Sequence, residues 1–430
     1  MNNENTPLLY QNEPQIRISG GLNAVDLLAE RHSQGSNFLA YANIVCVVAG
    51  TGTLGLPFAL KLGGWVGIAV LLVSLFATVY SSVLLIRCLY YNGQYRLSSY
   101  QEVGRHAFGE PGLITVWIFH TSFILGTPIM FLILAGTELK GLVDIDSITI
   151  QDWIWISAAL IAIPFVTMKT LKEVAITSVI GALATCILVA VVIRGSILDL
   201  HNPEYENVSH STIVLANLPT TIASISICFG GNIVYMHVEQ SMRYPRSWNR
   251  VVTAALVTCS VLYLATAIPG YWTYGDKAKS PILENLPRDT VTYVGTVLII
   301  IHVVLAGPIL LTAFSLEVER LIDITEERLG NMERYYRTAV RLNIIVFCGT
   351  IACTVPYFGD FLSLLGALSN CTLIYVLPIL CYWKLIGWKQ MRWYELFWCA
   401  FVVTSGVFSS IIGTINAIKA LKEDFDNDPN

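Results

Sequence analysis

Eleven apolar runs divide this chain of 430 residues, and all but the fourth and ninth, which are short, have the length of a helix that crosses a bilayer. A membrane-spanning helix needs about 20 predominantly apolar residues. We therefore expect an all-α polytopic membrane protein with about eleven spans, ten or twelve being the alternatives if a short run is misplaced. The predicted spans are residues 38–61, 65–90, 113–138, 153–168, 174–195, 214–238, 250–272, 290–316, 339–355, 358–383 and 395–418.

Composition excludes the other broad classes of protein. Apolar residues make up 54% of the chain and charged residues 13%, with a mean hydropathy of +0.61. Soluble domains carry about 25% charged residues, and disordered chains combine low hydrophobicity with high net charge. The net charge of −4 does not provide the basic surface that nucleic acid requires. The expected partners are the lipid bilayer and a small molecule.

Lys and Arg are distributed unequally among the segments that connect the spans. With a cytosolic N-terminus, more than two thirds of the 26 Lys and Arg residues lie on the cytosolic side, as the positive-inside rule requires. Eleven spans then place the C-terminus outside the cytosol, in a lumen. Asn207 begins an Asn-Val-Ser sequon on that side, where N-glycosylation can occur.

Residues 1–37 contain no apolar run and are expected to form a flexible cytosolic tail. Within the tail, Glu4, Leu8 and Leu9 have the spacing of an acidic dileucine sorting signal, a pattern that also arises by chance. If it is used, this signal binds a sorting adaptor and directs the protein to a vacuolar or lysosomal membrane. The plasma membrane is the alternative location.

Two spans contain helix-breaking residues. Three glycines and a proline lie between Gly50 and Pro57 in the first span, and Phe229-Gly230-Gly231 interrupts the sixth. An interior Gly costs about 1 kcal/mol and a Pro about 3 kcal/mol relative to Ala. Because lipid cannot bond the freed backbone, such breaks face polar cavities. The alternative is close glycine packing between helices.

The two breaks occupy matching positions in two halves of the chain. Residues 38–195 and 214–383 each contain five spans, so the halves have opposite orientations, which is typical of the inverted repeats of secondary transporters. The predicted organisation is a tail (1–37), a first repeat (38–195), a lumenal connection (196–213), a second repeat (214–383), the eleventh span (384–420) and an acidic lumenal tail (421–430).

The broken segments form the predicted binding site. Backbone N–H groups at the start of the second half of span 1 suit a substrate carboxylate, and free carbonyls in span 6 suit an ammonium group. The two together would bind the zwitterionic head of an amino acid. The predicted substrate-binding residues are Ala49, Thr51, Gly52, Thr53, Leu54, Gly55, Phe229, Gly230, Gly231 and Asn232.

Polar side chains within spans are the candidates for ion coupling. His237 and His302 are candidates for a coupling proton, because histidine titrates near pH 6.5. Thr312, Ser315 and Asn43 carry oxygens that could bind sodium. Each candidate also has a structural interpretation, as a hydrogen bond across the bundle.

The remaining motifs exclude other chemistry. Glu138, Glu239 and Glu317 lie at span ends and are expected to be interfacial. The ten cysteines show no metal-ligand or cofactor spacing. Since no HExxH, paired Asp or Ser/His set lies in the spans, we expect neither an enzyme nor a bound cofactor.

Several motifs resemble those of the amino acid/auxin permease family. They are Gly52–Trp65, Phe229–Gly231, Ser241–Pro245, Gly366–Ser369 and Leu377–Pro378, and the likeness extends over roughly residues 36–415. The resemblance implies eleven helices in the LeuT-type fold and the transport of amino acids. The fungal vacuolar amino acid transporters, typically proton-coupled, are the most similar branch.

One residue departs from the family pattern. Many members carry His after Phe-Gly-Gly, where this chain has Asn232, which cannot titrate. The resulting expectation is a secondary transporter of neutral amino acids that is coupled to protons through another group. The alternatives are a sodium-coupled symporter, and a facilitator or nutrient sensor without concentrative transport.

Overall fold

The protein is described by a computed structural model at residues 31, 35–143, 145, 147–167, 174–324 and 326–427. Within those residues, eleven helical spans are long and apolar enough to cross a membrane. Glu4, Leu8 and Leu9 lie outside the described residues. The spans, numbered 1–11, are Asn37–Gly63, Val66–Leu89, Glu110–Leu142, Ile150–Thr167, Gly181–Asp199, Leu215–Gln240, Pro245–Lys277, Thr290–Leu321, Glu333–Thr354, Phe358–Gly387 and Trp393–Asp426.

Spans 1 and 6 are both interrupted. Span 1 consists of a helix Asn37–Val48, a 3₁₀ turn Thr51–Gly55 and a helix Leu56–Gly63. Span 6 consists of the helices Leu218–Cys228 and Asn232–Gln240, with Phe229–Gly231 between them. The helix breaks therefore occur where glycine density predicted them.

The long spans 3 and 8 pack against each other. Each contains an interior proline, Pro128 in span 3 and Pro308 in span 8, at the same distance from the first residue of its helix, Glu110 or Thr290. These spans occupy the same position in the two five-span halves, so the matching prolines agree with an internal repeat.

Spans 10 and 11 depart from the expected regular helices. Span 10 contains π-helical turns at Gly366–Asn370 and Thr372–Val376, a distortion frequent at functional sites. Span 11 belongs to a helix that continues to Asn427, whereas a tail was expected from residue 421. The continuation is held because the Phe425 ring packs against that of Tyr357, with 5.4 Å between centroids.

The ends of the spans define two faces. The N-face carries Arg31, which contacts Tyr90, the residue after span 2, and Glu239 at the end of span 6. The opposite face carries the connection between spans 5 and 6, which includes the sequon. There Asn207 is exposed, and the Ser209 hydroxyl donates to Asp276 at 2.7 Å.

Candidate functional site

The breaks in spans 1 and 6 lie directly against each other. The Cys228 thiol donates to the Gly52 carbonyl, with 3.3 Å between sulfur and oxygen. A Cβ atom added to Gly52 would lie 3.1 Å from the Cys228 sulfur and 3.3 Å from its Cα. A glycine is therefore needed at residue 52 for the two backbones to approach so closely.

Side chains from neighbouring spans bind the carbonyls that the breaks release. The Tyr263 hydroxyl of span 7 lies 2.6 Å from the Val48 carbonyl and also contacts the Cys228 carbonyl. The Thr185 hydroxyl of span 5 donates to the Ala49 carbonyl at 2.7 Å. The single phenolic proton is shared between these two carbonyls and so links both breaks, while the Val48 carbonyl also accepts from the Gly50 N–H group at 2.8 Å.

Two backbone N–H groups at the span 1 break have no acceptor within their turn. The 3₁₀ turn begins at Thr51, and the first N–H groups of a helix lack an internal partner. The third N–H group, that of Thr53, donates to the Gly50 carbonyl, as does the Thr53 hydroxyl at 2.9 Å. Among the described backbone groups, no acceptor is found for the N–H groups of Thr51 and Gly52, and free N–H groups at a helix start suit an anion.

These N–H groups belong to residues that line a central cavity of about 170 Å³. Spans 1, 3, 5, 6 and 8 contribute to its wall. Among the described residues that line it, none is Asp, Glu, Lys or Arg. Much of the wall is apolar, formed in part by Phe123, Met130, Phe131, Ile233, Ile301 and Leu305.

The structure brings some of the predicted substrate-binding residues to this cavity and places others behind it. Thr51, Gly52 and Gly230 line the cavity. Leu54 is fully buried, and a Cβ on Gly55 would lie 3.0 Å from Leu362 of span 10. Ala49 and Thr53 act through the hydrogen bonds described above.

The remaining predicted residues of the span 6 break have packing contacts. Phe229 is buried with its ring edge-to-face against Tyr263, 5.3 Å between centroids, so its contacts are those of a packing residue. An added Cβ on Gly231 would collide with the Tyr235 ring. Asn232 donates to the Leu373 carbonyl in the π-helical part of span 10 at 3.0 Å, so this residue ties span 6 to span 10.

Of the coupling-ion candidates, His302 lines the central cavity. His237 is exposed at the N-face end of span 6. Thr312 and Ser315 are buried in span 8 and lie outside the cavity wall. The Asn43 side-chain oxygen is buried and has no hydrogen-bond partner among the described residues.

Sequence reasoning missed a buried charged cluster on the N-face, the Glu239 cluster of Arg31, Tyr90, Arg96 and Glu239. Glu239 is fully buried, and its carboxylate accepts from Tyr90 at 2.5 Å, from Arg96 at 2.8 Å and from Arg31 at 3.3 Å. Burial, followed by the adjacent Glu239 carboxylate, raises the pKa of Tyr90, so its phenol retains the proton that it donates. Glu239 lies at the end of span 6, as expected, but its carboxylate is buried among protein groups.

Backbone pairing extends the Glu239 cluster. Arg31 and Gly35 precede span 1, and their N–H groups donate to the carbonyls of Arg243 and Ser241 at 2.9 Å. The Arg243 N–H group donates back to the Gly35 carbonyl at 2.8 Å. The N-face ends of the two broken spans are therefore joined. The available sequence signal for this contact was Arg31, a charged residue just before the first span. Its partner Glu239 is 208 residues away in the sequence.

Eleven spans, with the first of each five-span half broken beside a central cavity, define a membrane transporter of the LeuT-type inverted-repeat fold. Solved structures agree with this assignment. The inward-facing conformation of Mhp1 aligns with a TM-score of 0.54 over 96% of each chain at 12% identity. A Na⁺-coupled sialic acid symporter aligns with a TM-score of 0.52 over 92% of each chain at 13% identity.

Sequence comparison identifies the family. Residues 33–419 match the family described as "Transmembrane amino acid transporter protein", and the chain belongs to it. "Amino acid transporter AVT1J" of Arabidopsis thaliana is 28% identical over 382 residues, 86% of this chain and 88% of that protein. "Amino acid transporter AVT1I" of the same organism is 28% identical, over 91% of this chain and 96% of that protein. These comparisons place the chain among transporters rather than enzymes.

Proposed function

We propose that this protein is a secondary active transporter of neutral amino acids. The observation that carries the proposal is the central cavity, where the N–H groups of Thr51 and Gly52 lie beside the span 6 break. These donors suit a carboxylate. A carbonyl oxygen has two lone pairs, so a carbonyl of the breaks that already accepts one hydrogen bond can also accept one from an ammonium group. The fold and the family membership support alternating access around this site.

The cavity wall supports the preference for neutral substrates. A charged substrate side chain would require a counter-charge in so apolar a site, and no Asp, Glu, Lys or Arg is among the described residues that line it. The side chain of the substrate would contact Phe123, Met130 and Ile301.

Proton coupling is the second part of the proposal. Of the two histidine candidates, His302 lies in the cavity wall and His237 does not. Sodium coupling is the alternative, but Thr312 and Ser315, the oxygen-bearing candidates of span 8, lie outside that wall.

Orientation and location complete the proposal. The excess of Lys and Arg assigns the N-face to the cytosol and the opposite face, with Asn207 and the C-terminus, to a lumen. The acidic dileucine pattern and the resemblance to vacuolar transporters favour a vacuolar or lysosomal membrane. Use of the Asn207 sequon and binding of a sorting adaptor at Glu4, Leu8 and Leu9 belong to the same proposal.

Reconstitution tests the function. Purified protein in liposomes should accumulate labelled neutral amino acids when a pH gradient is imposed, in the absence of sodium. Binding without accumulation would instead favour a facilitator or sensor, and accumulation only with sodium would refute proton coupling.

A glycine variant tests the site. Gly52→Val should abolish uptake, because even a Cβ would lie 3.1 Å from the Cys228 sulfur. Gly141→Val is the matched control, since a Cβ at Gly141 would meet nothing within 4 Å. Uptake by Gly52→Val at the level of Gly141→Val would refute the placement of the site.

A further inference from the structure

A second cavity, the vestibule, lies on the opposite face and has a volume of about 790 Å³. Its wall includes Lys61 of span 1, Glu138 of span 3, Thr296 of span 8 and Asp360 of span 10, with the connection before span 8. The vestibule is thus built from the same spans 1, 3 and 8 that form the central cavity.

Glu138 differs from the other acidic residues of the vestibule. Only 6% of its surface is exposed, and its Oε1 atom has no hydrogen-bond partner among the described residues. Glu284, in contrast, is exposed and lies 3.8 Å from the Lys279 ammonium group. Glu138 thus lies near the end of span 3, as expected, but is shielded by neighbouring protein groups. A buried acceptor without a donor is costly, so this oxygen beside the vestibule is a candidate site for a ligand.

Charged groups of both signs face Glu138 across the vestibule. The cations are Lys61, Lys140, Lys279 and Arg288, the acids are Glu284, Asp360 and Asp424, and Tyr293 and Tyr357 also line the wall. The Lys61 ammonium group is already bound to the Ala278 carbonyl at 3.1 Å.

Spans 3 and 8 connect the vestibule to the central cavity. Phe131 lines the central cavity and Glu138 the vestibule, and seven residues of helix correspond to about 10 Å. On span 8, Thr296 lines the vestibule and His302 the central cavity, about 9 Å apart at 1.5 Å per residue. A proton bound on Glu138 would therefore lie two helical turns from the substrate.

We propose that the Glu138 carboxylate is the binding site for the coupling proton that enters through the vestibule. A proton from lumenal water bonds to Oε1 and converts the carboxylate to a neutral carboxylic acid. When the transporter changes to the conformation open to the cytosol, the acid releases the proton to cytosolic water. Glu138 would then supply the titrating group that is missing at Asn232, where many family members carry His. This inference rests on the proposed function, since it assigns a residue to the coupling of that transport.

Two measurements in proteoliposomes, accumulation driven by a pH gradient and exchange at equal pH, test this inference separately from the proposed function. A gradient of one pH unit drives about tenfold accumulation per coupled proton, because one unit corresponds to a factor of ten in proton activity. Glu138→Gln should lose this accumulation but retain the exchange of labelled for unlabelled amino acid at equal pH, which needs no net proton movement. Glu138→Asp, which keeps a carboxyl group, should restore part of the accumulation.

Glu284→Gln is the matched control because it also removes a carboxyl group from the vestibule wall. This variant should accumulate amino acid at the wild-type level. Accumulation by Glu138→Gln at the level of Glu284→Gln would overturn the inference while leaving amino acid transport intact. Loss of both exchange and accumulation in Glu138→Gln, with Glu138→Asp equally inactive, would show a structural role and would also overturn it. Absence of exchange in the wild-type protein would instead reject the proposed function.

Discussion

Replacing Glu239 with Gln should release the N-face ends of the two broken spans. The buried carboxylate binds Arg31, Arg96 and Tyr90, and removing one partner of a buried ion pair costs about 3–5 kcal/mol. The cost applies while the cluster is closed, because water replaces these contacts once the ends separate. At about 1.4 kcal/mol per factor of ten, the equilibrium shifts toward the N-face-open state by roughly two to four powers of ten.

A natural cysteine reports this shift. Cys46 lines the central cavity, so a membrane-impermeant maleimide applied from the N-face should label it only when that face opens. In Glu239→Gln the labelling rate of the Cys46 peptide, measured by mass spectrometry, should rise until the open state predominates. Glu110→Gln is the control, because its pair with Arg105 is half exposed and such pairs contribute about 1 kcal/mol or less. Equal labelling in the two variants would refute the role of the cluster.

Three further predictions concern the site and its surroundings. Tyr263→Phe removes the donor shared by the two breaks and should lower the free energy of unfolding by about 1–3 kcal/mol, while Tyr335→Phe, at an exposed ring, leaves the thermal midpoint unchanged. Gly181→Val should raise KM at least about tenfold, a loss of about 1.4 kcal/mol of binding. The reason is that a Cβ at Gly181 would lie 3.0 Å from the Cys46 sulfur and from the His302 ring, both in the cavity wall. Gly141→Val should keep the wild-type KM. Hydrogen bonds from the Thr292 N–H group and, to a smaller extent, from Arg194 lower the pKa of Asp289 to about 2. The stability that the Asp289 carboxylate contributes should therefore be complete above pH 4 and lost as the pH falls toward 2. Thermal midpoints of wild-type protein and Asp289→Asn should therefore converge in that range, and a constant difference would contradict the assignment.

The helix breaks were predictable because their cause is local. Glycine and proline weaken a helix wherever they occur, so the interruptions at Thr51–Gly55 and Phe229–Gly231 follow from composition within a few residues. The groups that bind the freed carbonyls were not predictable. Tyr263 and Thr185 lie on spans 7 and 5, and their roles depend on how those spans pack around the breaks.

The two buried glutamates show why position along a span does not determine a role. Glu138 and Glu239 both lie at span ends, and the sequence offers no distinction between them. In the fold, three donors occupy the Glu239 carboxylate, which suits a contact that holds two helices together. Glu138 keeps one oxygen without a partner beside the vestibule, which suits a group that gains and loses a proton. A transporter must close one face while a ligand enters from the other. In the proposed mechanism, Glu239 holds the N-face closed and Glu138 binds the proton that enters from the opposite face.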